Sequence, residues 1–110
     1  MDSALEAAFY QQVKDAGLPE PILQFIPVPG RKYRCDFAWP QDEYRLILEL
    51  EGSIYVARSG HRSASGVVRD IEKYNLLTLN GWCVLRATTA MVMSGEALDM
   101  VRQVLGEGKS

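Results

Sequence analysis

Three acidic residues lie in two segments that otherwise have the pattern of buried β-strands. Asp36 lies within YRCDFAW, residues 33–39, and Glu49 and Glu51 lie within LILELEG, residues 46–52. A carboxylate buried without a partner costs several kcal/mol, which is comparable with the whole folding free energy of a small domain. We therefore expect an ion pair, a metal ion or exposure to solvent to offset this cost.

The two segments predict a β-hairpin with its acidic residues on one face. Apolar residues alternate with the others along both segments, and PQDE between them has the composition of a turn. With a turn of four residues, Asp36 lies opposite Glu49 and Arg34 lies opposite Glu51; a turn two residues longer or shorter stays open. A slip by one residue would move carboxylates into the apolar layer, so this register is favoured. The apolar pairs are then Trp39 with Leu46, Phe37 with Leu48 and Cys35 with Leu50.

Directly opposed carboxylates at Asp36 and Glu49 would repel each other, because their Cβ atoms would lie about 5 Å apart. Mg²⁺ removes this conflict, since it takes one or two protein carboxylates and leaves positions for water and phosphate oxygens. Glu51 follows on the same face, about 7 Å away, where it could bind a second ion or orient a water. The spacing fits metal-assisted phosphodiester hydrolysis. A solvated face with Arg34 paired to Glu51 explains it as well.

The rest of the sequence predicts a single α/β domain over residues 1–110, with a mixed central β-sheet flanked by helices. The expected elements are a capped helix over 4–16, an edge strand over 22–26, the hairpin, a helix over 67–80, a strand over 82–88 and a helix over 95–105. Their order is α-β-β-β-α-β-α. Val68, Ile71 and Leu79 are expected on the core side of the second helix.

Composition limits the class of protein. The 110 residues are 47% hydrophobic and 24% charged, as in ordinary globular domains. No apolar run is long enough to span a membrane and the first residues are acidic, so we expect a cytoplasmic protein with no membrane partner. Cys35 and Cys83 lack metal-ligand spacing and are expected to be buried thiols. A net charge of −2 argues against general polyanion binding.

Basic residues nevertheless gather around the acidic segments. Between residues 31 and 73, eight Lys and Arg stand against seven Asp and Glu, three of which are the candidate metal or catalytic acids. The Gly/Ser-rich segment at 52–66 is long for a loop, and such loops are more often functional. For His61 within it, phosphate contact and an incidental surface position are both open. The candidate nucleic-acid contacts are Arg34, Arg58, His61, Arg62, Arg69 and Lys73.

Four pieces of the chain, RKYRCDFAWP, LILELEG, RDIEKYN and GWCVLR, resemble in this order the PD-(D/E)XK nuclease superfamily. They look most like the small nuclease domains related to the very-short-patch repair endonuclease, many of which are bacterial or phage-encoded. The resemblance covers about residues 3–105. It implies a restriction-endonuclease-like core and a metal-dependent DNA endonuclease that uses Mg²⁺ or Mn²⁺ in repair, junction resolution or phage DNA processing.

The resemblance also implies site residues. Asp36, Glu49 and the backbone carbonyl of Leu50 would bind the metal ion. Glu6 matches the position of an additional acidic residue in several members, although it also completes the capping box of the first helix.

The chain departs from the family pattern at Glu51, where a lysine is expected. Glu51 would hold a second ion or activate water, and the cation would come from Lys73, Arg69 or Arg34. Catalytic roles are thus implied for Asp36, Glu49, Glu51 and Lys73.

Two other functions stay open: an inactive nucleic-acid-binding module on the same fold, and a protein-interaction domain whose carboxylates are only a solvated face. The oligomeric state is open too. A symmetric duplex target would favour a homodimer and a nicking activity would favour a monomer.

Overall fold

The secondary structure follows the predicted order of elements. The structure, a computed structural model, describes residues 3–51 and 64–106. Within them lie α1 (Ser3–Asp15), β1 (Ile22–Phe25), β2 (Cys35–Trp39), β3 (Leu46–Glu51), α2 (Ala64–Leu79), β4 (Cys83–Thr88), α3 (Thr89–Ser94) and α4 (Glu96–Leu105). The short helix α3 was not predicted. It ends at Gly95, whose φ of 91° suits a residue without a side chain.

The four strands form one mixed sheet in the order β1-β2-β3-β4. β2 is antiparallel to both β1 and β3, whereas β4 is parallel to β3 and is reached through α2. The hairpin pairs Phe37 with Leu48 and Trp39 with Leu46, which confirms the predicted register over these residues.

Helices cover both faces of the sheet. On one face, Phe37, Trp39, Leu46 and Leu48 pack with apolar residues of α1, α3 and α4, and the ring of Phe37 lies 5.2 Å from that of Phe9 in an edge-on contact. On the other face, Ala38 and Ile47 pack against Leu77 of α2 and against Trp82. The chain is thus an α/β fold with a four-stranded mixed sheet flanked by helices. None of the described helices is long and apolar enough to cross a membrane.

The orientation of α2 differs from the prediction. Val68, Ile71 and Leu79, expected in the core, are 51%, 56% and 82% exposed. Instead Leu77 is fully buried and Tyr74 packs beside it. The sheet beneath the middle of this helix carries carboxylates, so polar residues of α2 rather than apolar ones make the contact there.

Two expectations about cysteines were also wrong. Cys83 is exposed, because it begins the edge strand β4. Cys35 is buried as expected, but it packs with Val28 and Trp82 and not on the α1 face with Leu50. Its thiol donates a hydrogen bond of 3.3 Å to the carbonyl oxygen of Phe25.

Candidate functional site

The candidate site lies where β2, β3 and β4 meet α2 at Lys73 and Tyr74, just past the middle of that helix. Asp36 is near the start of β2, and Glu49 and Glu51 are at the carboxyl end of β3. The parallel pairing of β3 with β4 sets Arg86 beside Glu49. The acidic residues predicted from the sequence are therefore brought to one end of the sheet.

Glu49 is only 7% exposed and both of its carboxylate oxygens have partners on α2. The hydroxyl of Tyr74 donates to Oε1 at 2.6 Å, and Nζ of Lys73 lies 2.7 Å from Oε2. Oε2 has no hydrogen bond of ordinary geometry, so its contact with Lys73 is an ion pair rather than an aligned hydrogen bond. The charge of Lys73 offsets the burial of this carboxylate.

Asp36 is equally buried and binds the backbone of the neighbouring strand. Its Oδ2 accepts a hydrogen bond of 2.7 Å from the backbone N–H of Leu50. The pairing of backbones in the hairpin extends from Trp39 and Leu46 to Phe37 and Leu48. Beyond that point the side chain of Asp36 contacts the strand next to Glu49, which brings the two acidic residues together.

Glu6 of α1 lies beside Asp36. Its Oε2 accepts a hydrogen bond of 2.6 Å from Nε2 of Gln24. Burial, followed by the negative charge of Asp36, raises the pKa of Glu6, and the hydrogen bond from Gln24 acts in the opposite direction. Gln24 has a backbone φ of 53°, a conformation that residues other than glycine rarely adopt. Two carboxyl groups from α1 and β2 thus lie close together.

Glu51 is half-buried and pairs with Arg86 of β4, not with Arg34. Nε of Arg86 donates to Oε2 of Glu51 at 2.9 Å, and the guanidinium carbon lies 4.7 Å from the ring centroid of Tyr74. Partial burial lowers the pKa of Arg86, but the hydrogen bond to Glu51 and nearby negative charges outweigh it, so that pKa is raised overall. The solvated face with an Arg34–Glu51 pair is not what the structure contains.

Cys35 adjoins the carboxylates without being a nucleophile. Burial, followed by the negative charge of Glu49, raises the pKa of its thiol to about 12. The thiol is therefore neutral at physiological pH, and a neutral thiol is a poor nucleophile and metal ligand.

The residues predicted to contact nucleic acid differ in their exposure to solvent. Arg34 and Arg69 are exposed, as a phosphate contact requires. Lys73 is half-buried against Glu49. Arg58, His61 and Arg62 lie within residues 52–63, outside the described part of the chain.

Tyr74, Arg86 and Gln24 touch the site but were not predicted from the sequence. For Tyr74 a signal was present, because Asp70, Lys73, Tyr74 and Leu77 have the i, i+3, i+4, i+7 spacing of one helix face. For Arg86, the signal was a single basic residue within the apolar strand WCVLRAT. For Gln24 we find none.

The described residues offer two carboxylates, and not a larger cluster, for a metal ion. Across 3–51 and 64–106, no group of three or more His, Cys, Asp or Glu side chains is arranged to hold a metal ion. Mg²⁺, however, commonly binds through one or two carboxylates together with substrate phosphates. Asp36 and Glu49 supply that number, and Oε2 of Glu49 already faces a cation, the ammonium of Lys73.

The carboxylates of Asp36 and Glu49, the ammonium of Lys73 and the guanidinium of Arg86 lie at one end of the sheet. Such a set of groups suits chemistry on a phosphate ester. No protein-family model, curated protein sequence or solved structure matches the chain. A functional assignment therefore depends on the chemistry of this site.

Proposed function

We propose that the chain is a divalent-metal-dependent DNA endonuclease of the PD-(D/E)XK type, which hydrolyses phosphodiester bonds. The observation that carries the proposal is the pair of buried carboxylates, Asp36 and Glu49, held on adjacent strands with Lys73 at 2.7 Å from Glu49. If Asp36 and Glu49 had only a structural role, apolar residues at these positions would avoid the free-energy cost of burying charge. A functional requirement accounts for their presence.

The position of Lys73 supports the same proposal. Glu51 stands on β3 where the family pattern has a lysine, so a cation must come from another element. Lys73 comes from α2 and places its ammonium 2.7 Å from the carboxylate of Glu49. An ammonium at this distance can stabilise the negative charge that develops on phosphorus-bound oxygens.

The ligands fit Mg²⁺ or Mn²⁺ bound to Asp36, Glu49 and the carbonyl oxygen of Leu50, with Glu6 beside Asp36 as a further oxygen donor. A bound ion would supply Lewis-acid stabilisation of the phosphate. Oε2 of Glu49 supports the fit, since it is a buried oxygen without a well-formed hydrogen bond. Lys73 would move from Glu49 to the phosphate when the ion binds.

Glu51 and the exposed arginines complete the proposed site. Glu51 is less buried than Glu49, so it can accept a hydrogen bond from an attacking water while Arg86 fixes one of its oxygens. Arg34 and Arg69 would bind backbone phosphates. Arg58, His61 and Arg62 keep their proposed phosphate contacts on sequence grounds.

A second candidate function is a nucleic-acid-binding module without catalysis. The ion pairs favour it, because Lys73 neutralises Glu49 and Arg86 neutralises Glu51. Such a module would bind DNA equally well with or without divalent ions, and Glu49→Gln would leave that binding unchanged.

Cleavage of supercoiled plasmid and of a synthetic four-way junction, with Mg²⁺ or Mn²⁺, tests the proposal. The native chain is compared with Glu49→Gln and with Glu43→Gln, a matched change at an exposed glutamate in the β2–β3 turn. We expect metal-dependent cutting that Glu49→Gln abolishes and Glu43→Gln preserves. DNA binding by all three proteins without cutting would instead support the binding module.

A further inference from the structure

We propose that Tyr74 and Arg86 form one positioning unit that fixes Glu49 and Glu51 relative to each other. The proposal rests on the proposed function, because it assigns these two residues to the same metal site. Neither residue would touch the metal ion or the substrate phosphate. Each acts through the carboxylate that it binds.

Tyr74 fixes the plane of the Glu49 carboxylate. Its hydroxyl donates to Oε1 at 2.6 Å, while the adjacent residue Lys73 contacts Oε2 at 2.7 Å. A carboxylate held at both oxygens cannot rotate about its terminal bond. If an ion took the place of Lys73, the hydrogen bond from Tyr74 would still hold Oε1, so Glu49 would present its other oxygen in a fixed direction.

Arg86 links this tyrosine to Glu51. Its guanidinium carbon lies 4.7 Å from the ring centroid of Tyr74, within the range of a cation–π contact, and its Nε binds Oε2 of Glu51 at 2.9 Å. The contacts therefore run without a break from Glu49 through Tyr74 and Arg86 to Glu51. The two carboxylates are held by partners that also hold each other.

This arrangement separates two roles. Tyr74 governs how Glu49 binds the metal ion, whereas Arg86 governs how Glu51 faces the water. Loss of the Tyr74 hydroxyl is therefore expected to lower metal affinity by about 10- to 100-fold, the usual effect of removing a residue that orients a ligand. Loss of Arg86 is expected to lower the maximal rate instead.

The test measures Mn²⁺ affinity by electron paramagnetic resonance, and plasmid cleavage as a function of Mn²⁺ concentration, on the full chain. Tyr74→Phe is compared with Tyr10→Phe, which removes an α1 hydroxyl that donates a solvent-exposed hydrogen bond of the same length, 2.6 Å, to Glu20. We expect Tyr74→Phe to need about 10- to 100-fold more Mn²⁺ for half-maximal cleavage and to recover most of the native rate at saturation.

Arg86→Lys is the second variant. It keeps the positive charge and is therefore expected to fold, so it still tests the proposal if Tyr74→Phe does not fold. We expect it to bind Mn²⁺ like the native chain and to cut more slowly at saturating Mn²⁺, since a lysine lacks the Nε donor. Suppose that the native chain binds Mn²⁺. If Tyr74→Phe then has the native Mn²⁺ affinity, or Arg86→Lys has the native cleavage rate, the positioning proposal alone is overturned. A native chain that neither binds Mn²⁺ nor cuts DNA overturns the proposed function together with it.

Discussion

Replacing Lys73 by methionine removes the positive charge beside Glu49 while keeping most of the side-chain volume. The side chains of Lys73 and Glu49 are only 16% and 9% exposed, so water does not replace the lost partner fully. Removing one member of a buried ion pair costs about 3–5 kcal/mol. We expect the lower end, about 3 kcal/mol, because Tyr74 still donates to the other oxygen of Glu49. For a domain of this size that lowers Tm by about 10–20 °C.

The same substitution is expected to strengthen metal binding. In the native chain a divalent ion must displace the ammonium of Lys73 from Oε2, whereas in Lys73→Met this oxygen has no competing cation. Since a ligand that binds only the folded state raises its stability with concentration, Mg²⁺ should raise the Tm of Lys73→Met more than that of the native chain. Cleavage should nevertheless fall by about 10²- to 10³-fold, because the charge near the phosphate is gone.

Thermal melting with and without Mg²⁺ measures the Tm of Lys73→Met and its dependence on Mg²⁺. Plasmid cleavage measures the loss of activity. Lys14→Met is the matched control, since Lys14 is an exposed lysine on α1 and its replacement should change neither Tm nor its Mg²⁺ dependence. These expectations are refuted if the Tm of Lys73→Met equals that of the native chain, or if Mg²⁺ raises the Tm of the variant no more than it raises the native Tm.

Three further predictions concern charge and packing around the site. The pKa of Glu6 is raised on folding, so between pH 4.5 and this raised pKa the folded chain binds more protons than the unfolded chain. The free energy of unfolding therefore falls as pH rises from 4.5 through the raised pKa. Glu6→Gln should therefore stabilise the metal-free protein at pH 7 and flatten this slope in urea denaturation, whereas an unchanged slope would mean that neither burial nor the charge of Asp36 raises the pKa of Glu6. Ile71→Ser should change stability by no more than about 0.5 kcal/mol in the same assay, and Leu77→Ala should cost about 2–5 kcal/mol; the reverse order would restore the orientation of α2 expected from the sequence. Arg34→Gln should lower the salt-dependence slope of DNA binding by about 0.9, and an unchanged slope would exclude a phosphate contact.

The hairpin could be predicted from the sequence because its two strands are constrained on both sides. Phe37 and Leu48 must share the apolar face, and Asp36 and Glu49 must avoid it, so only one register satisfies the alternation. The structure has that register. The proximity of the acidic residues followed directly from it.

The environment of those carboxylates could not be predicted in the same way. Arg86 reaches Glu51 only because β4 runs parallel to β3, and that register depends on a long connection rather than on a turn. The orientation of α2 was predicted from Val68 and Ile71, on the assumption that apolar residues face the sheet. The assumption fails where the sheet face is itself charged, because Lys73 then gains more from the contact than an apolar side chain.

The most direct test of the metal site is an anomalous difference map from crystals of the chain soaked in Mn²⁺. We predict a peak bound by the carboxylates of Asp36 and Glu49 and the carbonyl oxygen of Leu50, with Nζ of Lys73 moved away from its position 2.7 Å from Glu49. A map with no peak there, at Mn²⁺ concentrations that support cleavage and with Lys73 still paired to Glu49, would contradict the account.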